Sequence, residues 1–192
     1  MASIDSQYLN DLKNKALEYS LKRRDVIKLT GDAQHHAKRA IFSLHRDKVN
    51  EAQEKLTETE KIYKELQKKY QKIPALFTEG SYLAGLEEYV EAKLFLAFLQ
   101  KKSLSRIKEL RVGDETYIGG LCDVPGELYR YAIQAATRRD YDTVRRCGET
   151  AEEIIGALIE FNLTSYLRTK FDQAKQAVQK IEHVVYEVSL RN

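Results

Sequence analysis

Long stretches of this chain contain nothing that would stop a helix. Its 192 residues include only two prolines, Pro74 and Pro125, and nine glycines. The residues between its apolar positions are mostly Lys, Glu, Gln, Arg and Ala, which favour helix. Leu9, Leu12, Ala16, Tyr19, Val26 and Ile27 recur at helical spacing and predict a first helix from about Ile4 to His45, kinked or broken near Gly31. Further helices are predicted over 49–70, 82–102, 115–138, 141–161 and 165–190, with Pro74 and Gly80 marking a connection. No segment alternates polar and apolar residues with β-branched enrichment, so no sheet is expected. The expectation is an all-α fold, an antiparallel bundle of six to seven helices in one domain spanning 1–192.

Composition removes several classes. No apolar run approaches the roughly 20 residues of a membrane helix, and the first residues lack a basic segment followed by an apolar one. Two cysteines, Cys122 and Cys147, make no disulfide framework. A reducing, cytoplasmic setting is the expectation. The net charge of +3 is too small to imply a nucleic-acid partner by itself, so clustering decides.

The acids of the third and fourth predicted helices have unusual company. Leu83, Leu86, Val90, Leu94 and Ala97 form one apolar stripe, and Ala84, Glu88, Glu91, Phe95 and Phe98 form its neighbour. Two carboxylates one turn apart on a largely apolar helix repel each other and lose hydration, so a proton, an arginine or a metal cation must offset them. On the fourth helix Tyr117, Leu121, Val124, Leu128, Tyr131 and Ala135 make the core stripe. Asp123 and Glu127 point together beside it, near Gly119 and Gly120, and Pro125 interrupts the helical hydrogen bonding with an expected kink. Four hard oxygen donors from two helices suit Mg2+ or Mn2+ better than Zn2+. The same spacing also occurs on solvated helix faces, as at Glu149, Glu152 and Glu153, so spacing alone leaves both readings open.

These segments resemble the translin superfamily, and within it the TRAX (translin-associated factor X) branch. The similar stretches are Gly85-Leu86-Glu87-Glu88-Tyr89-Val90-Glu91-Ala92 and Tyr117 to Arg130. Arg24 to Leu29, Lys38 to Arg46 and the closing Val184 to Arg191 are similar as well. Translin itself lacks acids matching Glu88, Glu91 and Asp123. The resemblance therefore implies the catalytic branch, with Glu88, Glu91 and Asp123 as metal-binding catalytic residues and Glu127 as a fourth acidic participant. It implies Mg2+-dependent cleavage of single-stranded RNA, or of nicked small duplexes, inside a hollow oligomer. That oligomer would be an octamer-like shell of this chain, or a hetero-oligomer with a translin-type subunit. The chain departs from animal members in lacking their long polar insertion between the third and fourth helices, and in Pro125.

Basic residues that could line a phosphate track are Arg24, Lys28, Lys38, Arg39 and Arg46, on faces of the first helix. The expected nucleic-acid partner is single-stranded RNA, with single-stranded DNA as a second candidate. Solvation of a charged helix explains the same residues without RNA. His45 reads as a core or interface histidine and Cys122 as packing. Two alternatives remain: a non-catalytic, translin-like binder of single-stranded DNA or RNA, and a ferritin-like di-iron bundle. The second lacks its Glu-x-x-His motifs.

Overall fold

The computed structural model describes residues 5–190, which form six α-helices, one short 3-10 helix and no strand. The helices are α1 (Ser6–Leu44), α2 (Val49–Lys69), α3 (Gly80–Leu99), α4 (Asp114–Thr137), α5 (Tyr141–Ile159) and α6 (Ser165–Ser189), with the 3-10 helix at Pro74–Thr78. Ile4 and Arg191, which the sequence reading included, lie outside the described residues. Two starts are fixed by side-chain caps that satisfy free amides of the first turn. Asp5 accepts from the Tyr8 amide at 3.0 Å, and Asp140 from the Thr143 amide at 3.1 Å. The short connections after α1, α4 and α5 return each helix alongside its predecessor.

The predicted break at Gly31 is absent, and α1 runs through it as one helix. Its neighbours explain why. Thr30 and Ala33 are fully buried, and the Thr30 hydroxyl donates to the Val26 carbonyl at 2.8 Å. Packing there outweighs the roughly 1 kcal/mol that a helical glycine costs. The apolar stripe expected along the start of α1 is not core, however. Leu9, Leu12 and Tyr19 are exposed, and Val26 is the first buried side chain among the described residues.

Helix α3 lies between α1 and α4, and α4 also packs on α5 and α6. It is therefore buried on most of its circumference, which corrects the two-stripe expectation. Leu83 is 37% exposed, whereas Tyr82 and Tyr89 are core. The Tyr89 hydroxyl donates to Glu60 at 2.7 Å, and Tyr82 receives Gln67 on its hydroxyl at 3.0 Å and Tyr63 on its carbonyl at 2.9 Å. Buried tyrosines are tolerated when their polar ends are matched in this way. Ile159 and Tyr166 are 63% and 58% exposed, although their spacing along α5 and α6 matches that of the core residues. Glu149, Glu152 and Glu153 are solvated as expected. No helix among the described residues is long and apolar enough to cross a membrane.

Candidate active site

Gly119 and Gly120 set the spacing between α3 and α4. A Cβ on Gly119 would stand 2.6 Å from Glu87 Oε1, and one on Gly120 would stand 2.7 Å from Val90 Cβ and 2.8 Å from the Glu87 carbonyl oxygen. Only bare backbone lets the helices approach so closely. The approach carries the acids of α3 against Asp123 and Glu127, with helix α4 continuous through Pro125.

The charges of Glu88, Asp123 and Glu127 all act on Glu91, and each of these three acids also meets a cation of the protein. Lys38 of α1 lies 3.2 Å from Glu88 Oε1. Lys170 of α6 bonds Asp123 and stands 3.1 Å from Glu87 Oε2. Glu127 pairs with the buried His45 and, at 3.1 Å, with Arg130. Glu91 forms no ion pair or hydrogen bond among the described residues, although it is only 8% exposed.

The titration of these groups follows from that arrangement. Burial raises Glu91, and the charges of Asp123, Glu127 and Glu88 raise it further, to about 9. Glu91 therefore stays protonated at neutral pH unless a cation joins it. Burial also lifts Glu88, against the hydrogen bond from Lys38, and lifts Asp123, against the hydrogen bond from Lys170. For Glu127 burial acts upward too, but the bond and charge of His45, with Arg130, leave it below the usual value. Lys170 loses some basicity to burial, yet Asp123 and Glu87 more than compensate and hold it above an ordinary lysine.

Five carboxylates (Glu87, Glu88, Glu91, Asp123 and Glu127) thus face three permanent cations, Lys38, Lys170 and Arg130. With Glu91 ionised the excess is two negative charges, which one divalent ion would match. The donors are all oxygen, as Mg2+ and Mn2+ require. No group of three or more acids, histidines or cysteines among the described residues is already gathered so as to hold an ion. The physical reason is visible: Glu88, Asp123 and Glu127 are turned to lysine, histidine and arginine. The residues fit a hard dication in chemistry and charge once Lys38 releases Glu88, since Asp123 keeps an oxygen that Lys170 does not take.

Sequence reasoning misses five participants. It gives no role to Glu87 or Arg130, Lys170 and Tyr166 lie far along the chain, and His45 reads as a core or interface histidine without its link to Glu127. The Gly119-Gly120 pair one turn before Asp123 is the signal that a neighbouring helix comes close. Arg24, Lys28, Lys38 and Arg39 are exposed on α1 and Arg46 in the turn after it, but only Lys38 touches a site acid. Arg46 lies 3.6 Å over the exposed Phe42 ring. Cys122 is buried, and burial followed by the Asp123 charge pushes its thiol up to about 11, which agrees with packing.

Comparison with known proteins gives this arrangement a family. The Translin family model matches residues 21–192. The chain belongs to the translin family. A translin-associated protein X homolog of Schizosaccharomyces pombe is 25% identical over 98% of this chain and 89% of its own length. Translin of Gallus gallus is 35% identical but over only 40% of this chain and 34% of its own. Within the translin family the chain therefore sits in the TRAX-like branch. Its fold is that of AfC3PO, whose crystal structure superposes with a TM-score of 0.86 at 24% identity, covering 96% of this chain and 98% of the other. AfC3PO has also been solved as a complex with duplex RNA, where the TM-score is 0.85 at 22% identity over 96% of this chain and 98% of the other.

Proposed function

We propose that this chain is a metal-dependent endoribonuclease, which cleaves single-stranded RNA or nicked small duplexes inside a hollow oligomer. The observation that carries the reading is Glu91: a carboxylate without a cation, buried among three further acids. A buried acid so placed adds nothing to stability that a leucine would not exceed. It gains a purpose as a ligand. Glu88, Glu91, Asp123 and Glu127 would hold Mg2+ or Mn2+. When bound, such an ion orients a phosphodiester, makes a bound water more acidic and stabilises the charge of the transition state. Glu91 exchanges a proton as the site fills, because burial and the neighbouring carboxylates push it up to about 9. His45 and Arg130 keep Glu127 ionised and oriented. Lys38, exposed and beside Glu88, is placed to meet a phosphate of the strand.

Two further facts support the reading. The structural neighbour AfC3PO is seen with duplex RNA. The first turns of α1 expose Tyr8, Leu9, Leu12, Leu17 and Leu21, an apolar surface suited to assembly with another subunit. The second reading, a nucleic-acid-binding oligomer without catalysis, draws on the protein cations that already occupy three of the acids. Incubating the pure protein with end-labelled single-stranded RNA, with Mg2+ or Mn2+ and with EDTA, separates them. Metal-dependent fragments lost in Glu91→Gln support the ribonuclease. Salt-sensitive binding with intact RNA supports the binder.

A further inference from the structure

Beside the four acids stands a second polar cluster, built from three helices. Lys170 Nζ bonds Asp123 Oδ2 and reaches Glu87 Oε2 at 3.1 Å. The Tyr166 hydroxyl, one turn earlier on α6, donates to the same Glu87 oxygen at 2.8 Å, and the Lys170 ammonium lies 5.3 Å from the centre of its ring. The other Glu87 oxygen is pressed toward Gly119, where no side chain fits. Glu87 thus gives one oxygen to Tyr166 and Lys170 and has the other packed against the Gly119 backbone, which makes it a poor candidate for a metal ligand. The Lys170 and Glu87 side chains are 12% and 11% exposed. Ion pairs this enclosed lose hydration on burial and are a costly way to join helices that apolar residues would join better. Asp123 Oδ1 takes no such partner among the described residues, so one oxygen of that carboxylate is held and the other is free.

We propose that Lys170 is a positioning residue for Asp123. Anchored by Glu87 and Tyr166, its ammonium fixes one oxygen of that carboxylate and presents the other to the divalent ion. Lys170 does not bind the RNA strand, since its ammonium is directed at two protein carboxylates and its side chain is enclosed. It also opposes the ion electrostatically, so Lys170 trades metal affinity for geometry. This rests on the ribonuclease reading for its kinetic half and on the acid cluster alone for its binding half.

Lys170→Met, Lys170→Arg and Tyr166→Phe test it, with two readouts: kcat and KM on labelled single-stranded RNA with Mn2+, and Mn2+ affinity by calorimetry without RNA. In Lys170→Met, kcat should fall about 10- to 100-fold, the usual effect of losing a partner that orients a metal ligand, with KM unchanged. Mn2+ should meanwhile bind about tenfold more tightly, because a positive charge has left the site. Lys170→Arg should keep wild-type Mn2+ affinity and recover part of kcat. A raised KM with unchanged kcat would make Lys170 a phosphate anchor and overturn the proposal, as would Mn2+ affinity that does not rise. If Lys170→Met fails to fold by circular dichroism, Tyr166→Phe decides: a lowered kcat at constant KM supports the proposal, and wild-type kinetics overturns it. If the wild type cleaves nothing with Mn2+, the ribonuclease reading fails, while the comparison of Mn2+ affinities still judges the hold of Lys170 on Asp123.

Discussion

Glu91→Gln should make the metal-free protein more stable, and more so the higher the pH. The wild-type carboxyl titrates near 9, against 4.5 for an ordinary glutamate. Between these values the native state holds a proton that the unfolded chain has released. The sign follows: the contribution is complete below the unfolded value and is lost as pH rises through the folded one. Each pH unit inside the window removes about 1.4 kcal/mol, so moving from about pH 6 to about pH 8 removes about 2.7 kcal/mol. Glutamine has no such titration. Melting in EDTA at the two pH values should show the wild type losing about 5 to 10 °C more than the variant over this interval, for a chain of this size. Mn2+ should reverse the ranking at the higher pH by stabilising the wild type and not the variant. Parallel pH responses of the two proteins in EDTA would refute the reasoning, because Glu91 would then be solvated or already paired.

Gly119→Ala places a methyl group 2.6 Å from Glu87 Oε1, so it should cost about 1–3 kcal/mol in urea unfolding and lower activity by moving α3 from α4. His45→Leu strips Glu127 of its buried partner and leaves only Arg130. It should destabilise the fold by about 2–3 kcal/mol above pH 6, measured in the same way, and by less in acid, where Glu127 is protonated. Lys38→Ala should weaken RNA binding alike for all sequences and reduce the slope of log affinity against log salt by about 0.7, the value for one phosphate contact with a single strand.

Much of the fold is legible because helix needs only local information. The breaker-poor stretches and the apolar spacing place all six helices within a few residues of where they lie. Helix α3 was read least well. It is enclosed by α1 and α4, so its sequence carries no outward face to set a phase, and Leu83 was put inside in place of Tyr82 and Tyr89. The start of α1 misleads in the opposite way: Leu9, Leu12 and Tyr19 repeat at core spacing, yet no helix among the described residues covers them. At the site, the phenylalanines flanking Glu88 and Glu91 foretold burial. The pairing of Asp123 with Lys170, 47 positions away, and of Glu127 with His45, 82 away, depends on which helices meet. Spacing along a single helix holds no record of that.

Diffraction from crystals grown with Mn2+, recorded at a wavelength where manganese scatters anomalously, reads the acid cluster directly. The account predicts an anomalous peak bounded by carboxylate oxygens of Glu88, Glu91 and Asp123, with Lys38 withdrawn from Glu88. A map without a peak there, with Lys38 still seated on Glu88 at saturating Mn2+, would contradict it.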